Sequence, residues 1–264
     1  VTGVQTCALP ISTKLQVFCR FRATIQNSNV FCSMKYRHLF FDLDHTLWDF
    51  ETNARESLLD VFTSLSLQAR GIPDFDPFFT RYSYHNHRLW DKYTRGEIKQ
   101  DELRWKRMWL ALLDFKVADE TLSRRMAVDF LEVLPTKSNL FPHTVEILQY
   151  LTQKNYALHL VTNGFEQVQH NKLKHANLSK FFTVVTTSEA SNSLKPHKEI
   201  FLHALKEAGA QTTESIMIGD NLDADIQGGM NAGLDTVFVN HLGVTTDIQP
   251  TYTVTHLKEL ENIF

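Results

Sequence analysis

The chain predicts an α/β fold: a doubly wound parallel sheet with an all-helical module inserted after its first strand. Three observations carry this expectation. Short apolar runs end in polar, chemistry-bearing residues, first at Phe40-Phe41-Asp42, then along Tyr156-Ala-Leu-His-Leu-Val-Thr-Asn-Gly164, and again at Ser215-Ile-Met-Ile-Gly219-Asp220. From Pro142 onward helix and strand patterns alternate, as parallel βαβ units with right-handed crossovers require. Between the first two runs there is helical periodicity and no strand signal.

The first strand opens soon after Met34 and closes on Asp42-Leu43-Asp44. Residues two apart on a strand point the same way, so both carboxylates project from its carboxyl end, where open α/β sheets bind ligands. Two acids so close repel unless a cation lies between them, and a hard divalent ion such as Mg²⁺ prefers such oxygen ligands. A helix is expected over 51–67, with Thr52 or Asn53 at its N-cap and Leu58, Leu59, Val61, Phe62 and Leu65 buried. A break at 71–77 follows, then helices over 78–93, 101–115 and 121–134. Pro135 and Ser138-Asn139 close the block. Pro196 is expected in the first turn of a helix that buries Ile200, Phe201, Ala204, Leu205 and Ala208.

With 264 residues, 43% hydrophobic, 22% charged and a net charge of −3, the composition is that of a globular chain. It leaves no basic stripe for a nucleic-acid polymer and no apolar run of membrane-spanning length. All three cysteines, Cys7, Cys19 and Cys32, precede Met34, which excludes a disulfide framework for the remainder and points to a reducing cytoplasm. Residues 1–33 are expected to be a non-native or disordered extension, with Met34 as the biological start.

In chain order the motifs are Asp42-x-Asp44-x-Thr46, a strand ending in Thr162, Lys195-Pro196, and Gly219-Asp220 with Asp225 five residues on. The ordered set resembles the haloacid dehalogenase-like (HAD) hydrolase superfamily. The stretch Phe41-Asp-Leu-Asp-His-Thr-Leu-Trp-Asp-Phe-Glu51, with Thr162-Asn-Gly and Asp225-Ile-Gln-Gly-Gly-Met-Asn-Ala-Gly233, resembles its pyrimidine 5'-nucleotidase group. The resemblance implies a Rossmann-like core of residues 34–51 and 136–264 and a helical cap of 52–135. It implies a phosphomonoesterase, with Asp42 as nucleophile forming an aspartyl-phosphate and Asp44 as acid and base. Thr46, Thr162, Asn163 and Lys195 would bind substrate and phosphate. Mg²⁺, with Mn²⁺ or Co²⁺ as substitutes, would sit on Asp42, the Asp44 carbonyl and Asp220, with Asp225 orienting a metal-bound water from further out. The expected partner is a small phosphorylated substrate, and the chain would be a monomer or homodimer.

Several residues admit a plainer reading. Thr162 could cap the following helix, Asp220 and Asp225 could be cap and first-turn acids, Asp223 could stand in for Asp225, and Thr46 could satisfy the turn. Trp105 and Trp109 read as cap core, and Arg81, His85, His87 and Arg88 as a polar helix face. Trp48 and Phe50 are placed to pack on a nucleobase or to hinge the cap. A sugar-phosphate phosphatase, a phosphomutase, or a silent binding module on the same fold are the competing readings. A dehalogenase needs neither Asp44 nor a metal.

Overall fold

The computed structural model describes residues 35–264. The extension expected at 1–33, with all three cysteines, lies outside the described residues. The strands are β1 (His38–Phe41), β2 (Ala157–Thr162), β3 (Phe182–Thr187), β4 (Ser215–Gly219), β5 (Asp235–Val239) and β6 (Tyr252–Val254). They form one sheet in the order β3-β2-β1-β4-β5-β6, every neighbouring pair parallel. The chain winds outward from β1 through β2 to β3, then crosses to build the other half from β4. The switch point falls between β1 and β4, where a doubly wound sheet opens its ligand crevice.

Register sets which residues meet there. Phe41 pairs with both Leu160 and Ile218, and the Asp42 N–H donates to the Ile218 carbonyl at 2.9 Å. Asp42, Thr162 and Asp220 therefore emerge side by side at one edge. Both faces of β1 are covered, as its unbroken apolar run requires. Leu39 and Phe41 belong to the large buried cluster that also holds Ile147, Leu148 and Leu151, with Phe41 edge-on to Phe182, while Phe40 belongs to a second cluster with Ile200, Phe201, Ala204 and Met217.

Between β1 and β2 come α1 (Phe50–Ser64), α2 (Phe75–Thr94), α3 (Gln100–Asp114), α4 (Glu120–Val133) and α5 (Thr144–Gln153). Then follow α6 (Glu166–His175), α7 (Ser188–Ser191), α8 (Lys198–Ala208) and α9 (Gly228–Asn231). Among the described residues no helix is long and apolar enough to cross a membrane.

Three local expectations are corrected. The N-cap of α1 is Asp49, whose carboxylate accepts from the Thr52 N–H at 3.1 Å. Asn53 instead is buried and pairs with Asn139, its side chain donating to the Asn139 carbonyl (2.8 Å) and accepting from the Asn139 N–H (3.0 Å). That pair ties the chain leaving the core to the chain returning to it. Helix α2 starts at Phe75 rather than Phe78 because Pro77 lies in its first turn, where a missing N–H costs no hydrogen bond. Pro196 precedes α8 instead of opening it. The Lys195 backbone is held by the Asn163 side chain, which accepts from its N–H (2.7 Å) and donates to its carbonyl (2.9 Å).

Candidate active site

After β1 the backbone turns sharply through His45, which sits in the left-handed region at φ 63°. The turn is closed by hydrogen bonds from the His45 N–H to the Trp48 carbonyl and from the Trp48 N–H to the Leu43 carbonyl, both 2.9 Å. Asp42 and Asp44 line one cleft with Thr162, Asn163, Lys195, Asp220 and Asp225. These seven of the eight expected site residues meet there.

Lys195 is the centre of the floor. Its buried ammonium donates to Asp42 Oδ1 (2.6 Å), Asp225 Oδ1 (2.7 Å) and the Val161 carbonyl (2.8 Å), so all three protons are engaged. Burial alone would lower its pKa. The Asp225 and Asp42 charges outweigh that and hold it above the usual lysine range. Burial pushes the Asp42 carboxyl well above the ordinary carboxylate value, against the pull of Lys195 and with the push of Asp225 and Asp220. Asp220 rises to about 7, from burial first and then from Asp225.

Asp225 lies in a π-helical turn, Leu222–Gln227, whose N-cap is Asn221. Its second oxygen accepts from the Asn221 N–H at 3.0 Å, so both of its oxygens are occupied. Both Asp223 and Asp225 line the cleft, but Asp223 is exposed and Asp225 fully buried against Lys195. The approach of Asp225 also explains Gly219: a Cβ there would stand 2.3 Å from a carboxylate oxygen. Thr46, fully buried, donates its hydroxyl to Asp220 Oδ1 at 2.7 Å, so it orients that acid and does not face the cleft. Thr162 accepts from the Gly164 N–H (3.1 Å) and from Gln169 (2.6 Å). Its hydroxyl proton is thereby left to donate elsewhere, and no helix is capped by it: the residue before α6 is Phe165.

Asp42, Asp220 and Asp225 can each offer an oxygen within 4.8 Å of the others. Burial and mutual repulsion hold Asp42 and Asp220 above the ordinary carboxylate range; fully ionised, the three carboxylates would carry two negative charges beyond what the Lys195 ammonium offsets. Asp42 and Asp220 each have one oxygen not engaged by the contacts above. Oxygen donors, clustered and short of two positive charges, fit a hard divalent cation.

Two residues that sequence reasoning missed hold Asp44. Lys172 donates to its Oδ1 at 2.6 Å and Gln169 to its Oδ2 at 3.0 Å. They stand three apart on α6, one face of a helix. That spacing was the only signal, and nothing local distinguishes it from a solvated polar face. Trp48 is corrected too. It is fully buried and cannot meet a base; its ring lies 4.2 Å from the Lys172 ammonium. Phe50 does reach the cleft.

The opposite wall comes from α2. Asn86, His87, Trp90, Asp91 and Thr94 line the cleft, spaced as one helix face. Trp90 stacks on Phe165 at 5.7 Å, and His87 approaches Glu51 at 3.5 Å. The cleft has a volume of about 280 Å³, the scale of a small ligand. Trp105 and Trp109 are not among the lining residues.

Carboxylates at the switch point of a parallel sheet, a buried lysine between them and a helical insertion overhead define a class. The chain matches the haloacid dehalogenase-like hydrolases over residues 36–233, and it belongs to that family. It is 33% identical to the pyrimidine 5'-nucleotidase PynA of Streptococcus pneumoniae, over 86% of this chain and 94% of that one. It is 31% identical to the pyrimidine 5'-nucleotidase YjjG of Escherichia coli, over 87% and 98%. The magnesium-bound crystal structure of the HAD-hydrolase YfnB from Bacillus subtilis superposes with a TM-score of 0.79 at 29% identity, covering 87% of this chain and 98% of that one. Within its family the chain is a phosphoric monoester hydrolase.

Proposed function

We propose that the protein is a Mg²⁺-dependent 5'-nucleotidase acting on pyrimidine nucleoside monophosphates, noncanonical ones included, through an aspartyl-phosphate on Asp42. The observation that carries the mechanism is the buried Lys195 ammonium joining Asp42 and Asp225 at the floor of the cleft. The likeness to PynA and YjjG supports the substrate class.

In this reading an Asp42 oxygen attacks phosphorus as the bond from phosphorus to the 5' oxygen breaks, and Asp44 gives its proton to that oxygen. Asp44 then takes a proton from water as the water oxygen attacks the aspartyl-phosphate. Phosphate leaves and the Asp42 carboxylate is restored. Splitting the displacement in this way replaces one difficult step by two easier ones. Lys195 holds Asp42 in place and, with the Thr162 hydroxyl, offsets charge on the phosphoryl oxygens. Asp42, the Asp44 carbonyl and Asp220 would hold the cation, which Asp225 supports through its neighbours. Bound there, Mg²⁺, or Mn²⁺ or Co²⁺ in its place, supplies the two positive charges the acids lack.

Residues 52–135 act as the cap over a core of 34–51 and 136–264, joined at the Asn53–Asn139 pair. Phe50 and Trp90 offer aromatic faces on which a base can stack. The cleft volume is on the scale of a mononucleotide.

Comparing kcat/KM for dUMP, UMP, AMP and a panel of hexose phosphates tests the reading, and a pyrimidine monophosphate should lead. A sugar phosphate preferred tenfold, about 1.4 kcal/mol of transition-state binding, would remove the nucleotidase and leave the phosphatase.

A further inference from the structure

The contacts of Asp44 point beyond the residues already given roles. Lys172 is buried on α6, its side chain 3% exposed, and its ammonium ends 2.6 Å from Asp44 Oδ1. It is wedged between the rings of Trp48 and Phe50, at 4.2 and 5.6 Å. Gln169, fully buried one turn earlier, sends its amide nitrogen to both Asp44 Oδ2 (3.0 Å) and the Thr162 hydroxyl (2.6 Å). Only the NH₂ end of that amide can face a carboxylate. A buried lysine needs a partner, yet a partner alone does not require a second donor on the other carboxylate oxygen, nor a link to Thr162.

We propose that Lys172 and Gln169 are positioning residues for proton transfer. They clamp Asp44 by both oxygens, and Gln169 ties it to Thr162, so that the proton-transferring carboxyl and the phosphate-side hydroxyl keep one geometry. Neither residue lines the cleft, so both act on the substrate only through the Asp44 carboxyl and, for Gln169, the Thr162 hydroxyl. Trp48 is the platform that keeps the Lys172 ammonium from any other partner, which accounts for a fully buried tryptophan directly behind the catalytic loop. The inference rests on the proposed role of Asp44.

Two generic substrates separate the possibilities without assuming a nucleotide. Phenyl phosphate leaves as a basic oxygen that needs a proton, whereas p-nitrophenyl phosphate leaves readily without one. For each, kcat/KM reports the steps up to transfer onto Asp42. General acid catalysis of this kind is worth roughly 10²–10⁴-fold. Lys172→Met should lower kcat/KM for phenyl phosphate about 10²-fold and for p-nitrophenyl phosphate less than about threefold. Lys172→Arg should recover most of the loss, and Gln169→Met should show the same substrate bias at smaller size. In an Asp44→Asn background Lys172→Met should cost almost nothing further, the signature of two residues acting as a unit.

Equal losses on both substrates, additive losses in the double variant, or no loss in Lys172→Met would each overturn the clamp. Should Lys172→Met fail to fold, judged by its thermal transition, Gln169→Met and its combination with Asp44→Asn carry the same decision. If Asp44→Asn itself hydrolyses phenyl phosphate like the wild type, the proton-transfer role of Asp44 is what fails.

Discussion

The two walls of the cleft are built differently. On the core side the chemistry-bearing side chains are fixed by short contacts, with Lys195 and Asp225 buried and Asp44 half-buried: Lys195 is held by three acceptors, Asp225 by two donors, Asp44 by Lys172 and Gln169. On the helical side His87, Trp90, Asp91 and Thr94 come from one face of α2 and remain partly exposed. Buried polar groups must be satisfied, so the core wall tolerates little change. The α2 wall is mixed: its exposed residues contribute surface and shape, whereas the buried Asn86 accepts from the buried Arg107 guanidinium at 2.9 Å and is as constrained as the core wall. In the proposed reading, chemistry is held by the first wall and selection by the second.

The comparison is broken most severely at Asp42. Asp42→Asn keeps the shape and removes the proposed nucleophile, so turnover should fall by roughly 10⁴-fold or more with the thermal transition retained. Retention of more than a few per cent of activity would show that no covalent step passes through this residue.

Removing the cation strikes the same wall. EDTA should abolish phosphate release and Mg²⁺ should restore it, while Ca²⁺ should inhibit because its larger, looser oxygen shell spoils in-line geometry. Full activity in chelator contradicts the charge count at Asp42, Asp220 and Asp225.

A change on the other wall should act on selection alone. Trp90→Ala should lower kcat/KM for pyrimidine monophosphates by about tenfold, within the roughly 1–3 kcal/mol that base stacking is worth. Hydrolysis of acetyl phosphate, which has no base, should stay unchanged. Equal loss on both would make Trp90 part of the chemistry, or of the packing with Phe165.

The last effect is on stability and not on turnover, and it lies behind the core wall, at His159. This buried β2 residue meets the His38 ring nitrogen at 3.0 Å and the Thr183 hydroxyl at 2.9 Å. Burial, with the neighbouring His38, lowers its pKa to about 4. The unfolded chain therefore binds a proton here at a higher pH than the folded one. Stability should be unaffected above about pH 6.5 and should fall as pH drops from there toward 4, by about 1.4 kcal/mol for each pH unit. His159→Gln should flatten that acid slope in a series of thermal melts, and an unchanged slope would assign it to other groups.

Much of the core wall was legible in the sequence because it is written as strand ends. An apolar run that stops at an acid or a threonine places that side chain at the sheet's carboxyl edge whatever the rest of the fold does. Asp42, Asp44, Thr162 and Asp220 follow from that rule, and the ordered motifs brought in Lys195 and the family. The inserted helices were legible from their period, though their ends were not, since Asp49 and Pro77 took cap and first-turn places that local preference also offers to neighbours. What only the tertiary structure decided is which polar side chains on a helix turn inward. Lys172, Gln169 and the α2 face look like solvated residues along the chain. Trp48 looks like a ligand platform, and Asp223 competes with Asp225. Their assignment depends on packing between segments more than 100 residues apart, such as Lys172 against Asp44. No local pattern encodes a contact whose energy exists only once both segments are in place.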